Sequence, residues 1–177
     1  MPKTPAIDVV SDANVALKWF HADGEEGVAD ARALVSAHQA RTVALLVLDL
    51  TAYEVGNALL RGRAKASASQ VATVLEALTA ICPVVRPGTD ELRLAARLVV
   101  RHDLTLYDAA HAAVAQNRGA ALATFDRALL KAGLGSRPIE IVDKLQRPGR
   151  SRFRTFLGDD TPPRISPSWA PAWRGPL

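Results

Sequence analysis

The chain has 177 residues, 49% of them apolar and 23% charged, which is the composition of a folded domain rather than of a disordered segment. Its single cysteine, Cys82, excludes an internal disulfide and, with four scattered histidines, a cysteine–histidine zinc site. The net charge of +4 resides entirely from Arg147 onward, where six arginines face only Asp159 and Asp160, so residues 1–146 are neutral overall and the basic charge is no evidence that the folded body is a nucleic-acid platform.

In chain order, Ala6–Val10 reads as a short strand and Ala13–Phe20 as a helix. Gly24–Gln39 has apolar residues at helical spacing, at Val28, Ala31, Leu34 and Val35. Thr42–Leu48 is a continuous apolar run, as expected of a strand covered on both faces. Helical spacing returns over Leu50–Arg63, where Asp49 is expected to be the N-cap, and over Gln70–Ala80, with Ser67 or Ser69 as the cap. Pro83–Val85 predicts a brief strand. Cys82, in the apolar run Ala80–Val85, is expected to be a buried, inert thiol. Thr89 is expected to cap a helix over Glu91–Arg101. A further helix spans Tyr107–Asn117 and stops near Gly119. Ala120–Thr124 predicts a strand, Asp126–Ala132 a helix ending at Gly133, and Ile139–Val142 a last strand.

Short apolar strands alternating with helices predict an α/β layered fold with a mostly parallel sheet, in which functional groups gather at the carboxyl ends of the strands. A domain is expected over residues 1–145. Residues 146–177 are rich in proline and arginine, lack periodicity and read as an arm or disordered tail, with Trp169 and Trp173 as docking candidates. No stretch approaches 18 unbroken apolar residues, so no membrane span is expected. One cysteine and no apolar leader point to a reducing, cytoplasmic compartment.

Four acids stand near strand exits or helix beginnings: Asp12, Glu54, Asp108 and Asp126. Each has apolar neighbours, as for Asp12 before Ala13, Val15 and Leu17. Carboxylates converging at the border of a core would repel one another and be poorly solvated. A divalent cation resolves that conflict, and a cysteine-free acid set suits Mg²⁺ or Mn²⁺. The competing reading of Asp108 and Asp126 is helix capping, and of Asp12 a turn residue. Glu54, beside an apolar helix face, has no capping explanation.

The stretch Val9–Phe20, the stretch Tyr53-Glu54-Val55-Gly56-Asn57-Ala58-Leu59, and Leu104–Ala110 followed by Leu122-Ala123-Thr124-Phe125-Asp126 together resemble PIN-domain toxins of the VapC type. The resemblance spans about residues 6–145. It implies a PIN-like three-layer α/β/α sandwich with a short, mainly parallel central sheet, and Mg²⁺- or Mn²⁺-dependent endoribonuclease activity. By the same resemblance Asp12, Glu54, Asp108 and Asp126 would be the catalytic and metal-holding acids. Asn14 and Thr124 would line the site in support. Partners would be an RNA substrate, a cognate antitoxin and a second copy in a homodimer.

Asp8, one face with Asp12 but too early in its strand, and Asp103 are expected at the surface. RNA requires positive charge beside an acidic pocket, for which Lys18, Arg61, Arg63 and Lys65 are the candidates; the alternative for the last three is a solvated helix end. An aspartyl-phosphate enzyme would want an acid two residues after Asp12, where the chain has Asn14, and no Walker loop is present. The remaining rival is a catalytically silent PIN-like module that binds RNA or a partner. Retention of all four acids favours activity.

Overall fold

The computed structural model describes residues 7–20, 26–63 and 65–146. The expectations for the first residues, for a helix beginning at Gly24, for His21 and for the arm with its arginines, Trp169 and Trp173 lie outside these residues. The elements are β1 (Ile7–Ser11), α1 (Ala13–Phe20), α2 (Val28–Gln39), β2 (Val43–Leu48), α3 (Asp49–Arg61), α4 (Ala68–Ile81), β3 (Val84–Val85), α5 (Thr89–His102), α6 (Leu106–Arg118), β4 (Ala121–Ala123), α7 (Arg127–Lys131) and α8 (Pro138–Gln146).

The strands form one sheet in the order β3-β2-β1-β4, and every pairing is parallel. Because successive strand residues point to opposite faces, Val9, Leu45, Val47 and Ala123 pack on one side with α1, α2, α3, α4 and α8. Val10, Leu46, Leu48 and Leu122 pack on the other with α5, α6 and α7. This is the expected three-layer sandwich. The second layer sits close because α6 offers Ala109, Ala110, Ala112, Ala113 and Ala115 to it, all buried. Cys82 is buried, and burial pushes its thiol up to about 12, which makes it unreactive. No helix among the described residues is long and apolar enough to cross a membrane.

Several local expectations are corrected. The segment Ile139–Val142 is not a strand but part of α8. Its apolar alternation resembles a strand, but Pro138 begins the helix with a φ already suited to it. Only Ser136, just upstream, bridges to the sheet at Ala123. Asp49 is the first residue of α3 and not its cap; its carboxylate accepts from the Leu50 amide and from Arg86 at 3.1 Å. Thr89 likewise lies inside α5, where Glu91 closes the first turn by accepting from the Gly88 amide at 2.6 Å. Ser67 is the cap of α4, with Gln70 completing a reciprocal capping box.

The strand and helix readings of residues 139–142 separate by mutation. In a strand Ile139 and Ile141 would share a face, whereas in α8 they lie about 200° apart around the axis. Ile141 is buried and Ile139 is exposed. Urea unfolding should therefore show Ile141→Ala costing about 2–5 kcal/mol and Ile139→Ala well under about 1 kcal/mol; equal losses would contradict the helix.

Candidate active site

β1 leads to β2 and β3 on one side of itself, while β4 joins on the other, so the direction of winding changes between β1 and β4. Beyond the carboxyl ends of the strands such a change opens a crevice. Asp12 stands there, one residue past β1, with its amide donating to the Ala123 carbonyl at the end of β4. The residue is 4% exposed.

Three groups hold that carboxylate. Its Oδ1 accepts from the Ala13 amide at 2.6 Å, and its Oδ2 from Asn14 Nδ2 at 2.8 Å and Thr124 Oγ1 at 2.7 Å. Asn14 is itself fixed, since its Oδ1 accepts from the Phe125 amide. Thr124 Oγ1 in turn accepts from the Asp126 amide. Asn14 and Thr124, expected from the sequence to line the site, thus both hydrogen-bond directly to Asp12. Burial still dominates and raises the Asp12 pKa, against the pull of His111 and the hydrogen bonds from Thr124 and Ala13.

A cavity of about 250 Å³ opens over this carboxylate, lined by Asp12, Asn14, Leu17, Glu54, Ala58 and Asp108 among others. Glu54 comes from the second turn of α3, and Asp108 from the first turn of α6. Asp108 does not cap its helix. Thr105 does, accepting from the Asp108 amide and donating to Asp108 Oδ2 at 2.6 Å. Burial and then the charges of Asp12 and Asp108 push Glu54 up to about 7. Its Oε2 is buried without a hydrogen-bond partner, which is an unfavourable state for a carboxylate oxygen.

Three of the four predicted acids therefore share one cavity. Asp126 does not line it; it caps α7, with Oδ1 accepting from the Ala128 and Leu129 amides, and it reaches Asp12 only through Thr124. Lys18 lies one turn beyond Asn14, with its ammonium 5.5 Å from the centre of the Phe125 ring. Arg61, Arg63 and Lys65 are exposed at and beyond the end of α3, about 10 Å along its axis from Glu54. Asp8 is exposed, and Asp103 is the exposed C-cap of α5. A larger groove of about 540 Å³, lined by His38, Gln39, Arg41, Ala77, Ala80 and Ile81, contributes no carboxylate.

The sequence reading missed His111 and Thr51. Both are fully buried and hydrogen-bonded to each other at 3.2 Å. The available signal was position: His111 follows Asp108 by one helical turn inside an alanine run, and Thr51 precedes Glu54 by one turn.

The donor set suits a divalent cation in its chemistry. All the cavity acids offer oxygen, Asp12 and Glu54 are held toward their protonated forms, and Glu54 has a buried oxygen to satisfy. Among the described residues no three acids, histidines or cysteines stand so that they could hold a metal ion together, so a cation bound here would have to complete its coordination with water, as Mg²⁺ does.

Glu54 gives the site a pH signature in cation-free buffer. Its folded pKa is raised, so the protonated form is favoured by folding. Its stabilising effect is full below the unfolded value near 4.5 and is lost as pH rises toward about 7. Thermal unfolding in chelator should show stability falling over that window, and Glu54→Gln should flatten the fall and melt higher than the native chain at pH 8. A variant with an unchanged pH profile would remove Glu54 as the source.

The family model described as "PIN domain" matches residues 9–134. Over 103 residues the chain is 37% identical to an exonuclease of Pyrobaculum aerophilum, VapC9, a match covering 55% of this chain and 74% of that protein. Among solved structures it is similar in fold to PAE2754 of Pyrobaculum aerophilum (TM-score 0.59, 24% identity, 80% of this chain and 98% of that one). It is similar too to VapC20 of Mycobacterium tuberculosis, a sarcin-ricin loop cleaving toxin (0.57, 18%, 71% and 95%). A third likeness is to a chain of a toxin–antitoxin complex from Klebsiella pneumoniae (0.55, 19%, 73% and 97%). A parallel sheet with acids at its carboxyl edge, and a family model covering most of the sandwich, agree: this chain belongs to the PIN domain family.

Proposed function

We propose that this chain is a Mg²⁺- or Mn²⁺-dependent endoribonuclease and the toxin of a toxin–antitoxin pair, acting in the cytoplasm. The observation that carries the reading is the cavity shared by Asp12, Glu54 and Asp108, where Glu54 is held near neutrality with an unpaired buried oxygen. The names of the relatives support it: one is an exonuclease, one a toxin that cleaves the sarcin-ricin loop, and one a member of a toxin–antitoxin complex.

Asp12, Glu54 and Asp108 would hold the principal cation, directly or through water, and Asp126 would act from the far side of Thr124. The cation, when bound, supplies a water of lowered pKa and a counter-charge for the phosphodiester. The chain supplies the rest. Asp12 is held rigid by Ala13, Asn14 and Thr124. Asp108 is oriented by the Thr105 hydroxyl. Glu54, pushed up to about 7 without a cation, would give up its proton as the cation binds. Lys18, Arg61, Arg63 and Lys65 would take the phosphates that flank the cut. An antitoxin would block the cavity, and the working form would be a homodimer. Residues 1–145 would be the nuclease domain and 146–177 a separate arm.

The relative's designation as an exonuclease makes the mode of cutting the sharpest question. Linear and circular single-stranded RNA should be incubated with the purified chain and Mg²⁺ or Mn²⁺. Cleavage of both, abolished by chelator, is the expected result. Asp12→Asn and Asp108→Asn should each lower the rate by about a hundredfold or more, at or beyond the loss typical of residues that only support a metal ligand. Cutting of linear RNA alone would make the chain an exonuclease. Native-rate cleavage by both variants would eliminate the site, and RNA binding without cleavage would favour the silent module.

A further inference from the structure

Glu54 and Asp108 reach the cavity from helices in opposite layers of the sandwich, α3 on one face of the sheet and α6 on the other. What fixes their separation is therefore not the packing of a single layer. One polar contact joins the two helices beside the site: Thr51 Oγ1 lies 3.2 Å from His111 Nε2, although the residues are 60 positions apart. Both are 0% exposed.

The ring is held at both ends. His111 Nδ1 lies 3.0 Å from the Tyr107 carbonyl oxygen, one turn earlier in α6. A carbonyl can only accept, so Nδ1 carries hydrogen. In the neutral ring, Nε2 then accepts from the Thr51 hydroxyl. Thr51 stands one turn before Glu54, and His111 one turn after Asp108. A shift of either helix that changed the Glu54–Asp108 spacing would also stretch this bond, and each partner would then be buried unsatisfied.

We infer that the Thr51–His111 hydrogen bond is a positioning clasp: it sets the spacing of Glu54 and Asp108 and thereby the affinity of the cavity for a divalent cation. The inference rests on the nuclease reading above. Neither residue lines the cavity, so their role is to hold acids in place, as outer-shell groups do at metal sites.

The test is Mn²⁺ affinity of the full chain without RNA, read by titration calorimetry or by the spin-resonance signal of free Mn²⁺. Thr51→Val keeps the side-chain shape and removes the hydroxyl; affinity should fall roughly tenfold or more, within the range for outer-shell groups. Thr51→Ser restores the hydroxyl and should bind as the native chain does, a rescue that a packing role would not give. His111→Leu should lose as much as Thr51→Val, and the double variant no more than either single one, because both remove one bond. His111→Gln, whose amide can reach toward Thr51, is the second arm should His111→Leu fail to fold, and should retain most of the affinity. A folded Thr51→Val chain with native Mn²⁺ affinity, or a Thr51→Ser chain as weak as Thr51→Val, overturns the clasp while leaving the nuclease reading intact. A native chain that neither binds Mn²⁺ nor cuts RNA removes that reading and the clasp together.

Discussion

The burial of one carboxylate, Asp12, organises the site. Taking a charged oxygen pair out of water is costly unless donors replace the water, and here three donors do so from two parts of the chain. Each donor is constrained in turn. Asn14 receives the Phe125 amide and Thr124 the Asp126 amide, so the carboxylate fixes the conformation of the whole exit from β4. Even so, desolvation outweighs these bonds and keeps the pKa of Asp12 above that of a free aspartate. The network orders Asp12 without satisfying its charge. That residual unfavourable charge is the physical basis for expecting a cation.

The topology explains why the acids meet. Parallel strands that all run the same way end on one edge of the sheet, and the residue after each strand is delivered there regardless of how far apart the strands lie in sequence. Asp12 and Thr124 arrive by that route from neighbouring strands, β1 and β4. Glu54 and Asp108 arrive by another, from helices that cover opposite faces. The cavity is consequently a seam between layers, and its dimensions respond to how the layers are tied together.

What was legible in the sequence follows this division. Strand-exit acids are local: an apolar run ending in Asp12, or in Thr124 and Asp126, is visible without knowing the fold. The covered strands were legible for the same reason, since Val43–Leu48 has no polar residue to expose. The segment at residues 139–142 misled because Ile-Glu-Ile-Val satisfies both periods over so short a stretch, and the deciding contacts of Ile141 are with distant residues. Cap positions at Asp49 and Thr89 were off by one residue, because the extended backbone ends at Leu48 and Gly88, which stand at the N-cap without a side-chain cap, and the helices begin at Asp49 and Thr89 themselves. Thr51 and His111 were illegible as a pair. Nothing local couples residues 60 apart, and a histidine among alanines reads as ordinary core.

The capping reading of Asp126 and the chemical one were posed as rivals, but the geometry makes them compatible. A cap engages one carboxylate oxygen, here Oδ1, and aims the side chain while doing so. Asp108 is treated similarly, with Oδ2 held by the Thr105 hydroxyl. Ranked by engagement, the acids form a series: protein donors hold both oxygens of Asp12, they hold Asp108 and Asp126 through one oxygen each, and the buried oxygen of Glu54 has none. The series runs from a rigid anchor to an adaptable group. On the proposed nuclease reading, a site that took a hydrated cation and then a phosphate would draw on both ends of it. The end with an unpaired buried oxygen is also the acid whose pKa is pushed up to about 7, so the carboxylate least held by protein donors is also the one whose charge changes most easily when positive charge arrives.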